Sequence, residues 1–279
     1  MFKKTLAVIF IILMFFATTA FCAVDSYGGY NVPVDIDING SFIKCAQKPV
    51  LINGTTYIPL RAFSDAVCGK VNWDSEDSCA TMTKDGHTFS FYPEKNYSLI
   101  DGKEKNYPSV VYKDLTFIPV RAVSETLGYS VEWDDFYLSV KITAPDVEIA
   151  DAYKDKSYTY EDILYLGKIT HIESGYQHFK VKLGVAGTVV NRVKSPQFPN
   201  SIKDVIFDKK YGVQFPPAHT DKINRTPSKE SIIAAKCVLG GVNVVENSLY
   251  FVDTQYTSGS WVHNNRPHCV TIYDMSFYK

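Results

Sequence analysis

An internal duplication constrains the fold of this chain more than any other feature of its sequence. Residues 51–74 (LINGTTYIPLRAFSDAVCGKVNWD) match residues 111–134 (VYKDLTFIPVRAVSETLGYSVEWD) at a spacing of 60 positions. Each copy predicts a strand, a short helix that begins after Ile-Pro (60–67 and 120–127), and a second strand that ends in Trp-Asp. Because one such unit cannot bury a sufficient core, the two copies are expected to form one structural or binding module.

The six-residue core of the repeat, (Tyr/Phe)-Ile-Pro-(Leu/Val)-Arg-Ala, resembles the copper amine oxidase N-terminal-like stalk domain of exported bacterial proteins. The resemblance covers residues 32–143 and implies a spacer or a wall-attachment module. The sequence of this region shows no copper ligand set and no catalytic spacing. No zinc motif of the C-x-x-C or H-E-x-x-H type occurs in the chain, so we expect no metal and no cofactor.

The N-terminus has the pattern of a secretory signal peptide over residues 1–23. Lys3 and Lys4 precede an apolar run, and mostly small residues follow from Ala17 to Ala23. The apolar run is short for a membrane span, and no other segment is apolar enough. We therefore expect a secreted protein of the cell wall or spore, with no stable membrane span after signal cleavage. The net charge of −1 gives no argument for nucleic acid binding.

Export permits disulfide bonds, and the sequence offers two local pairings. These are Cys68 with Cys79 and Cys237 with Cys269. Spacing alone does not decide between them and other pairings.

A polar stretch without a clear period, residues 144–157, predicts the linker between the stalk domain and a second domain at 158–279. The second domain begins with three helices, the second of which carries Gly184 and Gly187. These glycines predict close packing of that helix against the first. Short strands are then expected at 248–252, 260–263 and 269–272. The predicted fold class is α+β: a small duplicated α/β stalk module followed by a mostly helical domain with a small sheet.

Glu173 is the residue that most suggests chemistry. Thr159 and Asp162 predict a capping pair at the start of its helix, an apolar stripe runs through Glu173, and Gly175 ends the helix. A carboxylate there is partly desolvated and faces the negative end of the helix dipole, and both effects raise its pKa. Such a group can act as a general acid. The alternative is a solvated glutamate at a fraying helix end.

The second domain resembles the SleB-type cell wall hydrolases, the spore-cortex-lytic family. The segments that carry the resemblance are HIESGYQHFKVKLGVAGTVVNRVKSPQFPNSIKDVIFDKKYGVQFPP, TPSKESIIAAKCVLGG, SLYF, WVHNNRP and SFY, in this order over residues 160–278. The resemblance implies a lysozyme-like catalytic domain that cleaves the glycan strands of peptidoglycan beside N-acetylmuramic acid. It also places the catalytic glutamate of the family on Glu173.

The chemistry that the resemblance implies is that of a lytic transglycosylase. A retaining glycosidase of the usual kind needs a second carboxylate as nucleophile, whereas muramic acid offers its own 6-hydroxyl. One glutamate then serves as acid and base, and no clear partner carboxylate lies near Glu173 in the sequence. Two alternatives stay open: a hydrolytic muramidase that uses water, and a wall-binding protein with weakened catalysis.

Two positions depart from the family pattern. Gln177 stands where the family often has a second glutamate, and Met275 stands where it often has a histidine. Gln177 keeps its ability to form hydrogen bonds with substrate but loses the charge. These departures put the rate and the substrate preference in question, and they motivate the wall-binding alternative.

Four further residues are considered for substrate binding. Gln214 can orient an acetamido group and Phe215 can stack on a sugar, or both can belong to a packed turn. Asn191 can contact substrate; its neighbour Arg192 can do so too, but an arginine at a helix end is more often a surface or salt-bridge residue. Tyr250 can line the cleft or fill the core.

Overall fold

The computed structural model describes residues 26–210 and 212–279, so the predicted signal peptide at residues 1–23 lies outside the described residues. The described part has a β-rich N-terminal domain and a mainly helical C-terminal domain with a small sheet. The predicted α+β class is therefore confirmed. Among the described residues, no helix combines the length and the apolar character that a membrane crossing requires.

The N-terminal domain is built from short strands and two short helices. Its strands are β1 (Ser26–Tyr27), β2 (Tyr30–Asn31), β3 (Asp35–Ile38), β4 (Ser41–Phe42), β5 (Val50–Ile52), β6 (Thr55–Pro59), β7 (Lys70–Asp74), β8 (Cys79–Lys84), β9 (His87–Phe91), β10 (Ser98–Ile100), β11 (Lys103–Lys105), β12 (Val110–Tyr112), β13 (Leu115–Pro119), β14 (Ser130–Asp134) and β15 (Ser139–Thr143). Its helices are α1 (Leu60–Ala66) and α2 (Val120–Thr126).

The two copies of the repeat pair with each other. β6 and β13 lie antiparallel at the centre of a four-stranded sheet of order β12-β13-β6-β5. Ile58 faces Ile118 in this register, and both side chains are buried. Because the two residues occupy equivalent positions of the repeat, an approximate two-fold axis passes between them. The helices follow directly after Pro59 and Pro119, so the predicted strand–helix–strand order is confirmed.

The C-terminal domain contains five α-helices and three strands in its described part. They are α3 (Tyr160–Ser174), α4 (Phe179–Lys194), α5 (Ile202–Phe207), α6 (Lys229–Leu239), α7 (Trp261–Asn265), β16 (Tyr250–Asp253), β17 (His268–Ile272) and β18 (Met275–Tyr278). The strands form one antiparallel sheet of order β16-β18-β17. The strand predicted at 260–263 is wrong. The Ser260 side chain accepts a hydrogen bond from the His263 amide and so caps the start of α7.

α3 forms as its sequence predicts. The Thr159 hydroxyl accepts from the Asp162 amide at 3.2 Å, and the Asp162 carboxylate accepts from the Thr159 amide at 2.9 Å. Gly175 follows the last helical residue with a φ of 47°, a conformation that favours glycine. Midway along the helix, a Cβ on Gly167 would collide with Ile232 of α6. The absence of a side chain at this point lets α3 and α6 pack closely.

The predicted role of Gly184 and Gly187 is wrong. A Cβ on Gly184 would collide with Phe277 of β18, and a Cβ on Gly187 would come within 3.1 Å of Val245. These two glycines therefore admit the C-terminal strand and a loop against α4. They do not bring α4 against α3.

Neither of the two local cysteine pairings that the sequence offers is present, because all five cysteines in the described residues are free. The register of the β7–β8 hairpin places Cys79 opposite Asp74, at the end of β7 remote from Cys68. At roughly 3.3 Å per residue, the length of β7 alone separates the two thiols by about 13 Å, beyond disulfide reach. Cys237 is buried in α6, where its thiol donates to a backbone carbonyl of β2 at 3.5 Å, whereas Cys269 lies on β17.

A buried ion pair joins the two domains. Lys236 of α6 is fully buried, and its Nζ lies 2.9 Å from Oδ2 of Asp35 in β3. The same ammonium donates to the carbonyls of Tyr137 at 2.6 Å and Leu138 at 2.8 Å. Burial lowers the pKa of Lys236, and the charge of Asp35 opposes this effect. Tyr158, two residues before α3, donates to Oδ1 of Asp35 at 2.8 Å.

The segment 144–157, predicted as the linker, packs against the N-terminal domain. Val147 and Ile149 belong to the core of that domain, and Asp155 pairs with Lys48 at 2.8 Å. In the other direction, Val32 from the N-terminal part of the chain belongs to the core of the C-terminal domain. The two domains are therefore packed against each other through both apolar and charged groups.

We expect Asp35→Asn to destabilise the protein strongly, because it leaves the Lys236 ammonium buried without a counterion. Removing one partner of a buried pair costs about 3–5 kcal/mol of the free energy of unfolding. Asp135→Asn is the matched control, because it breaks the exposed interdomain pair with Lys229 at 2.7 Å. That change is expected to cost far less, because both partners are exposed and solvent screens their interaction. Urea unfolding followed by tryptophan fluorescence measures both, and equal losses in the two variants would contradict the prediction.

Candidate active site

Glu173 lines a cavity of about 260 Å³ near the carboxyl end of α3. The other lining residues are Arg192, Val213, Gln214, Phe215, Tyr250, Phe251 and Val262. They come from α4, from the turn before the 3₁₀ helix Pro216–His219, from β16 and from α7. Among the described residues that line this cavity, Glu173 is the only carboxylic acid.

The Glu173 carboxyl group holds its proton unusually tightly. Burial raises its pKa from 4.5 to about 7, while the positive charges of Arg192 and then Lys222 act in the opposite direction. Its Oε1 is buried and has no hydrogen-bond partner among the described residues. Glu173 is thus not a solvated glutamate at a frayed helix end. At neutral pH it can both give and take a proton.

The burial of Arg192 is the feature of this site that differs most from the sequence prediction. It was expected at the surface, yet it is only 3% exposed, and burial lowers its pKa to about 10. Its Nε donates to the Leu249 carbonyl at 2.7 Å. The guanidinium carbon lies 5.0 Å, 4.9 Å and 5.5 Å from the ring centres of Phe198, Phe215 and Tyr250. Its Nη1 is buried and finds no acceptor in the described part of the chain.

A pattern in α4 could have identified Arg192. The residues seven and three positions before it, Val185 and Val189, are fully buried, and this spacing places all three side chains on one face of a helix. Arg192 continues an apolar stripe, so its side chain points inward in spite of its charge.

Three of the predicted substrate-binding residues line the cavity: Gln214, Phe215 and Tyr250. Phe215 is 1% exposed, and its ring centre lies 6.3 Å from that of Phe251. It thus packs inside the wall of the cavity and leaves little of its ring open for a sugar. The Gln214 amide donates to the Gly212 carbonyl at 3.3 Å, which holds the turn in shape.

Asn191 has a different position from the one proposed for it. Its side-chain amide donates to the carbonyls of Glu246 at 2.8 Å and Ser248 at 3.0 Å. Asn191 is not among the residues that line the cavity. It fixes the loop before β16, while its neighbour Arg192 enters the site.

The two departures from the family pattern also lie outside the lining of this cavity. The side-chain amide of Gln177 donates to Asp274 at 3.1 Å, and its backbone carbonyl accepts from Lys182 at 2.9 Å. A glutamate in place of Gln177 would bring its carboxylate within hydrogen-bond distance of the Asp274 carboxylate. Met275 is buried in the small core between β18 and α4.

A larger groove of about 920 Å³ lies elsewhere, between the two domains. Its charged residues are already partnered: Lys229 pairs with Asp135 at 2.7 Å, and Glu230 accepts from Tyr27 at 2.9 Å. Among the described residues that line this groove, none combines a raised carboxyl pKa with an unpartnered oxygen as Glu173 does. We therefore place the candidate active site in the smaller cavity.

Comparison with known families supports both parts of the sequence interpretation. Residues 37–142 and 106–162 match the model of the copper amine oxidase N-terminal domain, and residues 176–278 match the Cell Wall Hydrolase model. The chain carries a copper amine oxidase N-terminal domain followed by a Cell Wall Hydrolase domain. The two resemblances are thereby confirmed.

In residues 26–210 and 212–279, no group of three or more His, Cys, Asp or Glu residues is placed to hold a metal ion.

Curated relatives are similar to less than half of the chain. The spore cortex-lytic enzyme of Bacillus cereus is 26% identical over 105 residues, which are 38% of this chain and 39% of that relative. The spore cortex-lytic enzyme of Bacillus subtilis is 24% identical over 105 residues, which are 38% of this chain and 33% of that relative. The chain thus spans about two fifths or less of the length of these relatives.

Two solved structures are similar to the chain at 26% sequence identity. One is the catalytic domain of the germination-specific lytic transglycosylase SleB from Bacillus anthracis, with a TM-score of 0.41, covering 45% of this chain and 99% of that one. The other is the catalytic domain of the Bacillus cereus SleB protein, with a TM-score of 0.40, covering 45% of this chain and 94% of that one.

The assignment of Glu173 does not come from the family match, which begins three residues later, at residue 176. It rests on the position of Glu173 in the cavity, on its burial and on its raised pKa.

The raised pKa of Glu173 predicts a pH-dependent cost to stability. The folded state binds the proton more tightly than the unfolded state, so wild-type stability falls as pH rises from about 4.5 to about 7. The glutamine of Glu173→Gln is neutral at every pH, so this variant does not lose stability in this way. Its free energy of unfolding relative to wild type should therefore increase over the same pH range by up to about 3 kcal/mol.

Urea unfolding at a series of pH values checks this prediction. Glu161→Gln, at the exposed start of the same helix, controls for the loss of one glutamate from α3. A difference between Glu173→Gln and wild type that is the same at every pH would contradict the burial of an ionisable Glu173.

Proposed function

We propose that this protein is an exported enzyme that cleaves the glycan strands of peptidoglycan beside N-acetylmuramic acid, with Glu173 as its acid and base. The observation that carries the proposal is a carboxyl group of pKa about 7 in a cavity whose described lining has no second carboxylate. The family match of residues 176–278 supports a wall substrate. The names of the curated relatives support spore cortex as the form of peptidoglycan.

In the first step, the Glu173 carboxyl donates its proton to the glycosidic oxygen at C1 of the muramic acid residue. The C1–O bond breaks, the leaving sugar departs with a free hydroxyl, and positive charge develops on the muramic acid ring. In the second step, the Glu173 carboxylate takes the proton of the 6-hydroxyl as that oxygen bonds to C1. The product ends in a 1,6-anhydro ring, no water is consumed, and Glu173 is protonated again.

Arg192 stabilises Glu173 between these two proton transfers. At that stage Glu173 is an anion in a partly desolvated site, where an opposite charge acts more strongly than in water. The guanidinium of Arg192 lowers the pKa of Glu173 against the effect of burial. It therefore stabilises the carboxylate form without removing the acid form.

A muramidase that transfers the sugar to water is the second candidate, and Asp208 is the residue that favours it. Oδ2 of Asp208 is buried without a hydrogen-bond partner among the described residues, and its charge raises the pKa of Arg192 against the effect of burial. A second carboxylate near the site could activate a water molecule. Because Asp208 is not part of the cavity lining, we prefer the 6-hydroxyl route.

The third candidate is a wall-binding protein with weakened catalysis. The positions of Gln177 and Met275, the two residues that differ from the family pattern, argue against it. Gln177 and Met275 do not line the cavity of Glu173, so neither change removes a group from the proposed chemistry. Export to the wall or spore is proposed from the signal-peptide pattern of residues 1–23.

Glu173→Gln should lower the rate of glycan cleavage by about 10²–10⁴, because glutamine forms hydrogen bonds but cannot transfer a proton. The wild-type rate should fall as pH rises through about 7, since the acid form of Glu173 is lost there. Release of soluble fragments from purified cortex and from vegetative peptidoglycan measures both effects. A Gln variant that digests either substrate at the wild-type rate would show that Glu173 is not the acid.

Mass spectrometry of the fragments separates the two enzymatic routes, because an anhydro end lacks one molecule of water. Asp208→Asn is the matched control for carboxylate chemistry. On the 6-hydroxyl route, we expect this variant to retain most of its activity and to give the same anhydro products. Hydrated ends, together with a large loss of rate in Asp208→Asn, would establish the muramidase route instead.

A further inference from the structure

Aromatic rings and guanidinium groups alternate in a series of contacts that begins in the lining of the Glu173 cavity, to which Arg192, Phe215 and Tyr250 belong. Arg192 lies between Phe215 and Tyr250, at 4.9 Å and 5.5 Å from their ring centres. Arg266 contacts the same Tyr250 ring, at 4.7 Å from its centre, and the Trp261 ring, at 5.2 Å from its centre. We call these five residues the ladder. It runs from the buried Phe215 to Trp261 at the surface.

The outer end of the ladder, Trp261, is one residue away from the cavity lining in the chain. Trp261 begins α7, and the next residue, Val262, lines the same cavity as Glu173 and Tyr250. Trp261 is 59% exposed although its ring contacts Arg266. The Trp261 indole is thus in contact with Arg266 and also exposed to solvent, close to the cavity.

The ladder also carries two hydrogen-bond donors without acceptors among the described residues. They are Nη1 of Arg192 and Nε of Arg266, and both atoms are buried. One other nitrogen of each group is engaged: Nε of Arg192 donates to the Leu249 carbonyl at 2.7 Å, and Nη2 of Arg266 donates to the Tyr250 hydroxyl at 3.1 Å. A buried N–H without an acceptor costs free energy. A ligand that brings oxygen atoms to this wall would recover that cost.

We propose that the ladder is a glycan subsite, in which Trp261 stacks on the sugar ring next to the one held at Glu173 and Arg192 donates a hydrogen bond to the inner sugar. This inference rests on the proposed function and adds the residues that hold the strand. A pyranose has faces of C–H groups that pack on an aromatic ring, and its edge carries hydroxyl and acetamido oxygens. The ladder offers both complements: an open indole at one end and unpaired N–H donors along its length.

The charges of the ladder are already compensated, and this argues for a neutral sugar over a charged ligand. The two guanidinium charges lie against aromatic rings, which attract cations, and Arg192 also faces Glu173. The exposed surface at the outer end is an indole with no charge of its own. The contacts Trp261–Arg266, Arg266–Tyr250 and Tyr250–Arg192 lead from this indole to the lining of the Glu173 cavity.

Trp261 can be made its own probe, because the chain contains only three tryptophans. In the full-length protein, Trp73→Phe and Trp133→Phe leave Trp261 as the sole indole, and Glu173→Gln prevents cleavage. Purified peptidoglycan glycan fragments of two and four sugars are then titrated while the emission is recorded. We expect a saturable change in emission with the four-sugar fragment. No change at concentrations that saturate binding, measured by calorimetry, would overturn the proposal.

Steady-state kinetics give an independent test in the otherwise wild-type chain. Trp261→Ala should raise KM for four-sugar and longer fragments about fivefold with little change in kcat, the size expected for loss of one aromatic contact. Trp261→Phe should recover part of the loss. Trp73→Ala removes a tryptophan of similar exposure, 52%, from the N-terminal domain and should leave KM for these fragments unchanged. Urea midpoints show that each variant is folded.

The outcomes separate this inference from the function on which it rests. If Trp261→Ala behaves like Trp73→Ala while Glu173→Gln is inactive, the ladder is structural and the proposed function stands. If Glu173→Gln still cleaves while Trp261→Ala raises KM, the subsite stands and the acid has been assigned wrongly.

Discussion

The buried ammonium of Lys236 is the constraint on which the arrangement of both domains depends. A charge removed from water must be compensated, and its compensation comes from the N-terminal domain, through Asp35 at 2.9 Å and two backbone carbonyls. The helix that carries Lys236 packs closely on α3 at Gly167, and α3 carries Glu173 in its last turn. The position of the candidate acid therefore depends on contacts that begin in the first domain. The stalk interpretation suggested by the sequence understates this role.

The sequence predicted local structure well, because the signals for it are local. The capping pair of Thr159 and Asp162, the stop at Gly175 and the helices that follow the two Ile-Pro dipeptides all appear where expected. Contacts between distant segments were not predictable in this way. Gly184 indicated that something approaches α4 closely, but not that the partner is Phe277. The cysteine pairings failed for the same reason, since spacing along the chain does not give the register of a hairpin.

The candidate site was partly predictable for a related reason. Glu173 was found because it lies on an apolar stripe, and a carboxylate on such a stripe is conspicuous. Arg192 lies on the same kind of stripe in α4, behind Val185 and Val189, but a charged residue near a helix end was interpreted as exposed. The sequence pattern favours Asn191 as the substrate contact, whereas its side chain donates to the backbone of a neighbouring loop. The direction of each side chain around the helix, more than its chemical type, decides which of two neighbours enters a site.

A single carboxyl group that acts first as acid and then as base needs an environment that favours neither form strongly. Burial alone would hold Glu173 in its protonated form, and it would then be a poor base. A close ion pair alone would keep it ionised, and it would not be an acid. In this cavity the two influences oppose each other: burial raises the pKa, and Arg192 limits the rise to about 7. Arg192 can act from within the protein because Leu249 and three aromatic rings hold it. The aromatic wall is thus part of the acid–base arrangement, since it holds the positive charge of Arg192 near Glu173.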